Sequence, residues 1–351
     1  MKTGFQQKLI NWYSIHKREL PWRGSKDPYT IWLSEVILQQ TQVKQGLPYF
    51  LVFKNNFPSV LDLARASEQE VLKLWQGLGY YSRARNLHKT AKIVEDAYNG
   101  EFPKNYEELI QLPGIGDYTA SAISSICIDE PHAVVDGNVY RFYSRYFGID
   151  TPVNSSKAKK EFKMLAQDLL PAAERGEFNQ AVMEFGSRHC RPKSPGCESC
   201  VFSSSCFAHR YGKTDQFPVK IRKQKIRNRY FNYLLVQSND NNRILMRKRE
   251  HSDIWQNLYE FPLVETQLSV DDKSEYITDQ LSEILKGDSF HAYLFNQDDI
   301  THKLSHQHIH TKFWIVETDS DLSDGIDVSM VNQYPVPVLI QDFIEEYGLK
   351  E

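Results

Sequence analysis

No apolar run in this 351-residue chain approaches the ~18–20 residues that a membrane-spanning helix requires. The opening stretch, MKTGFQQKLINWYSIHKREL, has neither the apolar core nor the cleavage site of a secretory signal, so the cytoplasm is the expected compartment. Internal repeats and low-complexity tracts are missing, which sets aside solenoids and long disordered arms. Strong net charge is lacking as well: 42 Lys and Arg against 45 Asp and Glu give −3, which taken alone argues against a polyanionic partner. The distribution reverses that inference. Residues 1–228 hold 32 basic and 23 acidic side chains, whereas residues 229–351 hold 10 and 22. A basic front with an acidic back suggests that the front meets a polyanion. Cysteine is scarce, five residues in all, and four of them crowd into one short stretch.

What is present divides the chain. Residues 1–211 carry apolar residues at helical spacing with little β-branched alternation, so the front is expected to be all-α. An amphipathic helix opens the chain, with Phe5, Leu9, Trp12, Tyr13 and His16 near one face. The run DPYTIWLSEVILQQTQVKQGLPYF reads as helical, with Pro28 near its start and Gly46 near its end. Two helices broken at Gly77–Gly79 follow, the first opened by a Ser67/Glu70 capping box. Further helices fit 105–112, 117–126, 137–147, 155–170 and 178–186. Residues 212–229, rich in Lys and Arg, read as a basic linker able to track a phosphate backbone. Residues 230–351 alternate short β-like runs (YFNYLLVQS, NRILMRKR, LYEFPLVE, HTKFWIVETD) with a helix ended by Gly287, a small α+β domain.

The cysteine stretch, CRPKSPGCESCVFSSSC, places Cys190, Cys197, Cys200 and Cys206 at C-x6-C-x2-C-x5-C spacing. Thiols this dense in a cytoplasmic chain point to metal ligation rather than a disulfide framework. The x2 pair suits zinc or an iron–sulfur cube; the wider arms suit the cube, whose irons lie further apart. A [4Fe–4S] cluster is the expected cofactor and zinc the alternative. Cys127, alone on an apolar helix face, reads as a core residue.

The stretch LPGIGDYTASA at 112–122 predicts a helix–hairpin–helix over 105–126, with PGIG as the hairpin. Gly114 and Gly116 let the backbone come close to a ligand, and amides at the second helix's N-terminus suit a DNA phosphate. Such a grip reads backbone and carries little base sequence. Followed by VVDGNVYR (134–141) and the four-cysteine loop, this hairpin resembles the endonuclease III superfamily of DNA glycosylases and, within it, the MutY-type adenine DNA glycosylases. LPWR (20–23), DPYTIWLSEVILQQTQV (27–43), GLGYYSRARN (77–86) and FNQAVMEFG (178–186) match too. The resemblance covers the whole front and, more loosely, the back, where it implies a Nudix-like C-terminal domain. It further implies a monomer that acts in base excision repair on duplex DNA with adenine opposite 8-oxoguanine or guanine.

Cleaving a purine from deoxyribose needs proton donation to the leaving base and stabilisation of a developing oxocarbenium ion. Glu35 stands in IWLSEVIL, where a carboxylate is expensive unless used, and burial there would keep it protonated. The resemblance implies that Glu35 protonates the adenine. It implies that Asp136, at a helix N-cap whose amides would hold it ionised, stabilises the cationic sugar, and that Asn138 positions water or substrate. Tyr118 stands where lyase members carry the lysine that attacks the sugar, and a phenol forms no Schiff base. By resemblance Gln40 and Tyr80 enter the duplex as the base flips out, and Arg23 and Gln180 lie near the adenine pocket. Ser305 and His306 match the family's Phe-Ser-His loop for 8-oxoguanine, while Leu304 replaces its aromatic. No G-x5-E-x7-R-E-x-x-E-E box is present, so pyrophosphatase activity is not expected. The rival readings are a bifunctional glycosylase/lyase and a catalytically silent DNA-binding module.

Overall fold

α1 (Lys2–His16) turns Phe5, Leu9, Trp12 and Tyr13 into the protein, the stripe its sequence spacing predicts. The computed structural model describes residues 2–221 and 226–349. Its chain falls into two compact units: Met1–Arg65 with Asn86–Arg222, and Ala66–Arg85 with Lys223–Glu351. The second unit thus recruits a segment of the helical front that lies far upstream of the 230–351 domain expected from composition.

The helical part continues through α2 (Pro28–Leu38), α3 (Val43–Asn56), α4 (Val60–Arg65), α5 (Glu68–Leu74), α6 (Ser82–Ala97), α7 (Tyr106–Leu109), α8 (Asp117–Ile128), α9 (Gly137–Phe147), α10 (Ser156–Leu169), α11 (Arg175–Arg188) and α12 (Phe207–Arg210). Asp27 caps α2 by accepting from the amides of Tyr29 and Thr30, and the predicted Ser67/Glu70 box opens α5. The stretch read as one helical run after Pro28 is two helices. The chain breaks at Gln40, whose φ of 54° lies in the left-handed region. Gly46 lies inside α3 instead of ending a helix. A Cβ there would come within 2.7 Å of the Leu38 Cδ2 methyl and 3.2 Å of the Ile37 Cγ2 methyl, so a larger residue would push these side chains aside where α3 meets α2.

The core of this unit is aromatic. Phe5, Phe142, Phe185 and Phe202 are all buried, and the Phe202 ring lies 5.0 Å from Phe5 and 5.3 Å from Phe185. Phe202 comes from the cysteine loop, so that loop is anchored by a side chain whose truncation to alanine would cost about 3–5 kcal/mol.

The segment read as a linker is shorter than expected at both ends. Val153 donates its amide to the Val219 carbonyl at 3.0 Å, and Asn154 pairs with both backbone groups of Ile221, which ties residues 219–221 to the helical unit. β1 already begins at Arg227. Residues 222–225, the middle of the basic stretch, lie outside the described residues.

In the second unit β1 (Arg227–Ser238), β2 (Arg243–Ile244), β5 (Leu263–Thr266), β6 (Phe290–Leu294), β7 (Ile300–Lys303), β8 (Gln307–Thr318) and β9 (Ile326–Asp327) form one sheet; β3 (Arg247–Lys248) and β4 (Tyr259–Glu260) form a small second one. β1 and β8 pair in parallel from Arg227–Gln307 to Ser238–Thr318 at the centre. α13 (Glu275–Ile284) sets Ile277 and Leu281 in the cluster of Leu234, Val236, Trp314 and Val316. α14 (Val338–Tyr347) stacks Phe343 on Phe313 at 4.0 Å, on the face of alternate residues. Coverage on both faces explains why LLV and WIV read as unbroken apolar runs.

Candidate active site

Glu35 projects from the third turn of α2, among neighbours that are almost all buried, yet it remains partly exposed. The Tyr118 hydroxyl, one residue into α8, donates to its Oε2 at 2.7 Å and also lies 3.1 Å from the Met183 sulfur on α11. Burial pushes the Glu35 carboxyl up from 4.5 to about 7; the Tyr118 hydrogen bond and the Arg23 charge oppose this, and the Asp136 charge adds to it. Burial, then the Glu35 and Asp136 charges, drive the Tyr118 phenol well above its ordinary value, so it stays a donor.

Asp136 caps α9. It accepts from the amides of Asn138 (2.9 Å) and Val139 (2.8 Å) and from the Asn138 side-chain amide at 2.6 Å. Taken alone, these donors favour the ionised form. Burial outweighs them, and the net displacement is upward. The segment leading to it, residues 132–135, is pinned from three sides. Asn179 accepts from the Val134 amide and donates to the His132 carbonyl, Gln167 accepts from the Ala133 amide, and Lys163 donates to the Ala133 carbonyl. Arg141 continues the chain of contacts: Nη2 donates to Asn138 Oδ1 at 2.9 Å and to the Gly186 carbonyl at 2.6 Å, and Nε to the Cys190 carbonyl at 2.8 Å. A Cβ on Gly186 would lie 2.6 Å from the Asn138 carbonyl oxygen, so α11 approaches the Asp136 turn only because glycine stands there.

Arg23 is held by Glu184, whose side chain is 1% exposed and accepts from Arg23 Nη2 at 2.7 Å and from Arg18 Nε and Nη2, each at 2.7 Å. Arg23 also donates to the Tyr13 hydroxyl, which reaches Gln180 Oε1 at 3.2 Å. Glu184, Tyr13 and Asn179 were given no site role by sequence, although Tyr13 lies on the face read for the first helix and the other two in the matching stretch FNQAVMEFG. An acid inside the helical run VMEFG was the available signal for Glu184.

The hairpin has the predicted form, although α7 is only Tyr106–Leu109 and turns carry the chain on to Leu112. Gly114 adopts φ 76° and packs where a Cβ would meet Asn86 Cβ at 2.7 Å. Gly116, exposed, caps α8 without a side-chain bond. Gln40 is exposed, and Gln39 beside it donates to Thr119 of α8 at 3.3 Å. In the second unit the Tyr80 hydroxyl meets Ser305 Oγ at 2.9 Å. Tyr80 shares with Gln40 a left-handed backbone, φ 50°. Ser305 and His306 form a two-residue turn closed by the Leu304 amide on the Gln307 carbonyl at 2.9 Å, and both are exposed.

Cys190, Cys197, Cys200 and Cys206 line one cavity with Phe142, Phe185 and Phe202. Burial pushes the Cys200 thiol up to about 11 and raises Cys190 and Cys206. An apolar cavity of this kind favours thiolates only when a cationic group fills it. Among the described residues no three His, Cys, Asp or Glu side chains gather tightly enough for a single metal ion. Four thiols lining one cavity are a donor set that suits either a metal ion or an iron–sulfur cluster.

Residues 33–168, which hold Glu35 and the hairpin, match the model of the HhH-GPD superfamily of base excision DNA repair proteins; residues 232–346 match the NUDIX domain. The adenine DNA glycosylase of Buchnera aphidicola (subsp. Schizaphis graminum) is 37% identical over 265 residues, 75% of this chain and 76% of the relative. The human adenine DNA glycosylase is 41% identical over 223 residues, 61% of this chain and 41% of its own. The chain belongs to the adenine DNA glycosylase family. Among solved structures a thermostable thymine-DNA glycosylase superposes with TM-score 0.55 at 28% identity, over 60% of this chain and 97% of that one. An endonuclease III–DNA covalent complex, at 23% identity and TM-score 0.53, shares the fold. Among the described residues no helix is long and apolar enough to cross a membrane.

Proposed function

We propose that the protein hydrolyses the N-glycosidic bond of adenine opposite 8-oxoguanine or guanine in duplex DNA, as a monofunctional glycosylase working as a monomer in the nucleoid. The observation that carries this is the Tyr118–Glu35 hydrogen bond of 2.7 Å, made by a carboxyl held near neutrality beside a second, capped carboxylate. Because Tyr118 occupies Oε2, Oε1 is the oxygen left to carry the proton to the adenine ring. Asp136, fixed by three donors, stabilises positive charge on the sugar, and Asn138 orients the attacking water. Arg23 and Gln180 contact the extruded base. Gln40 and Tyr80 fill the stack it leaves, and strained backbone at both supports a functional duty. Gly114 and Gly116 admit a phosphate at the hairpin. Ser305 and His306, exposed at a tight turn, read the opposite base, with Tyr80 holding Ser305. Tyr118, a phenol that forms no Schiff base, stands where lyase members carry the attacking lysine, so the strand stays whole. A duplex with adenine opposite 8-oxoguanine should therefore break only after alkali. Breaks before alkali would point to a lyase, and binding without abasic product to a silent module.

We assign a [4Fe–4S] cluster to Cys190, Cys197, Cys200 and Cys206, where its first role is to order residues 190–206. Purified protein should be brown and carry iron and sulfide. Cys200→Ser should lose both and open the loop to protease. Zinc without iron would overturn the assignment.

A further inference from the structure

Lys163 of α10 reaches across to the start of α8. Its Nζ donates to both oxygens of Asp117, at 2.9 and 3.0 Å, to Ser121 Oγ at 2.9 Å and to the Ala133 carbonyl at 2.8 Å. From the other side the Tyr106 hydroxyl of α7 donates to Asp117 Oδ1 at 2.9 Å. Asp117 is thus clasped by an ammonium and a phenol, while its side chain stays 54% exposed. It is the first residue of α8, directly after Gly116. A carboxylate there suits the helix dipole in the free protein. It also sets a negative charge beside the amides through which the hairpin would hold a phosphate.

We infer that Asp117 and Lys163 form a charge couple that sets how strongly the hairpin grips the DNA backbone: Asp117 weakens the grip and Lys163 offsets that repulsion. The inference rests on the hairpin's proposed role as a phosphate site. Backbone contacts carry no sequence information, so the couple acts equally on damaged and undamaged duplex. A restrained generic grip lets a searching enzyme leave undamaged DNA.

The test is the affinity of the full chain for an undamaged duplex over a salt series. Asp117→Asn should tighten binding about three- to tenfold at low salt, and Lys163→Met should loosen it comparably, both effects shrinking as salt rises. The double variant should return to within about twofold of wild type, since the two charges act in opposition. Asp117→Asn that fails to tighten overturns the couple, as does a Lys163→Met loss that the double variant does not restore. Lys163 also holds the Ala133 carbonyl, so if Lys163→Met does not fold, Asp117→Asn alone decides. Gly116→Ala separates the two failures. Its φ is −95° and a Cβ would meet nothing within 4 Å, so the free protein accepts it while the methyl stands beside the phosphate-binding amides. Weaker binding by Gly116→Ala with an inert Asp117→Asn sinks the couple and keeps the hairpin; if both are inert, the hairpin reading falls.

Discussion

Glu35→Gln is expected to stop adenine release while leaving duplex affinity near wild type. The substitution keeps size and keeps an oxygen for the Tyr118 hydroxyl, so the pocket has little reason to rearrange. What it removes is the transferable proton, and general acid catalysis contributes about 10²–10⁴-fold. Single-turnover excision from an adenine–8-oxoguanine duplex measures that loss directly. The pH dependence supplies an independent check. A carboxyl held at about 7 is mostly protonated at pH 6 and mostly ionised at pH 8. Excision should therefore fall as pH rises through 7, approaching tenfold per unit. Stability should run the same way, because this carboxyl's value is raised above its ordinary 4.5, chiefly by burial. The protonated form suits the fold, and its advantage is lost as pH climbs from about 4.5 through about 7. Glu35→Gln should accordingly melt higher than wild type at pH 8. Near-normal turnover by the variant would remove Glu35 from the acid role; a flat wild-type profile across pH 6–8 would contradict a proton donor of this pKa.

Much of this site was legible because its residues break local rules. Glu35 is an acid in an apolar helix, Asp136 precedes a glycine at a helix start, and the hairpin glycines punctuate two helical runs. Violations of this kind are what functional duty leaves in a sequence. The supporting residues obey the rules and stay silent. Asn179 looks like an ordinary polar helix residue, and its value lies in reaching the His132 and Val134 backbone 45 or more residues away. Lys163 reads as one lysine among several on a solvated face, and only packing reveals its partner Asp117. In the fold, the break at Gln40 was hidden because apolar periodicity runs on across it, whereas the left-handed backbone that interrupts it has no sequence mark when the residue is not glycine. The parallel β1–β8 pairing was hidden for another reason: strand partners at such separation are chosen by tertiary packing, and an unbroken apolar run says only that both faces are covered.

Asp136→Asn should cost excision about as much as the loss of a preorganised electrostatic partner elsewhere, about 10²–10³-fold, without unfolding α9. Asparagine is as good an N-cap as aspartate, so its Oδ1 can still accept from the amides of Asn138 and Val139. Its new amide would face the Asn138 amide now 2.6 Å away, a donor against a donor, and the turn would relax slightly. On the proposed mechanism, the decisive change is the lost negative charge that would face the sugar. That same charge raises the Glu35 carboxyl, so removing it has a second, readable consequence. Residual excision by Asp136→Asn should begin to fall at lower pH than in wild type, because Glu35 ionises more easily without its neighbour. A slow enzyme with an unshifted profile would mean that Asp136 acts through the fold and does not share an electrostatic site with Glu35. Arg141 predicts the gradation below this. It holds Asn138 on one side and the Cys190 carbonyl on the other, so Arg141→Gln should loosen Asp136 without removing its charge. Its excision should lie between wild type and Asp136→Asn, with the Glu35 limb of the pH profile where wild type has it. That combination, a lower rate at an unmoved pH limb, separates positioning of Asp136 from the charge Asp136 supplies.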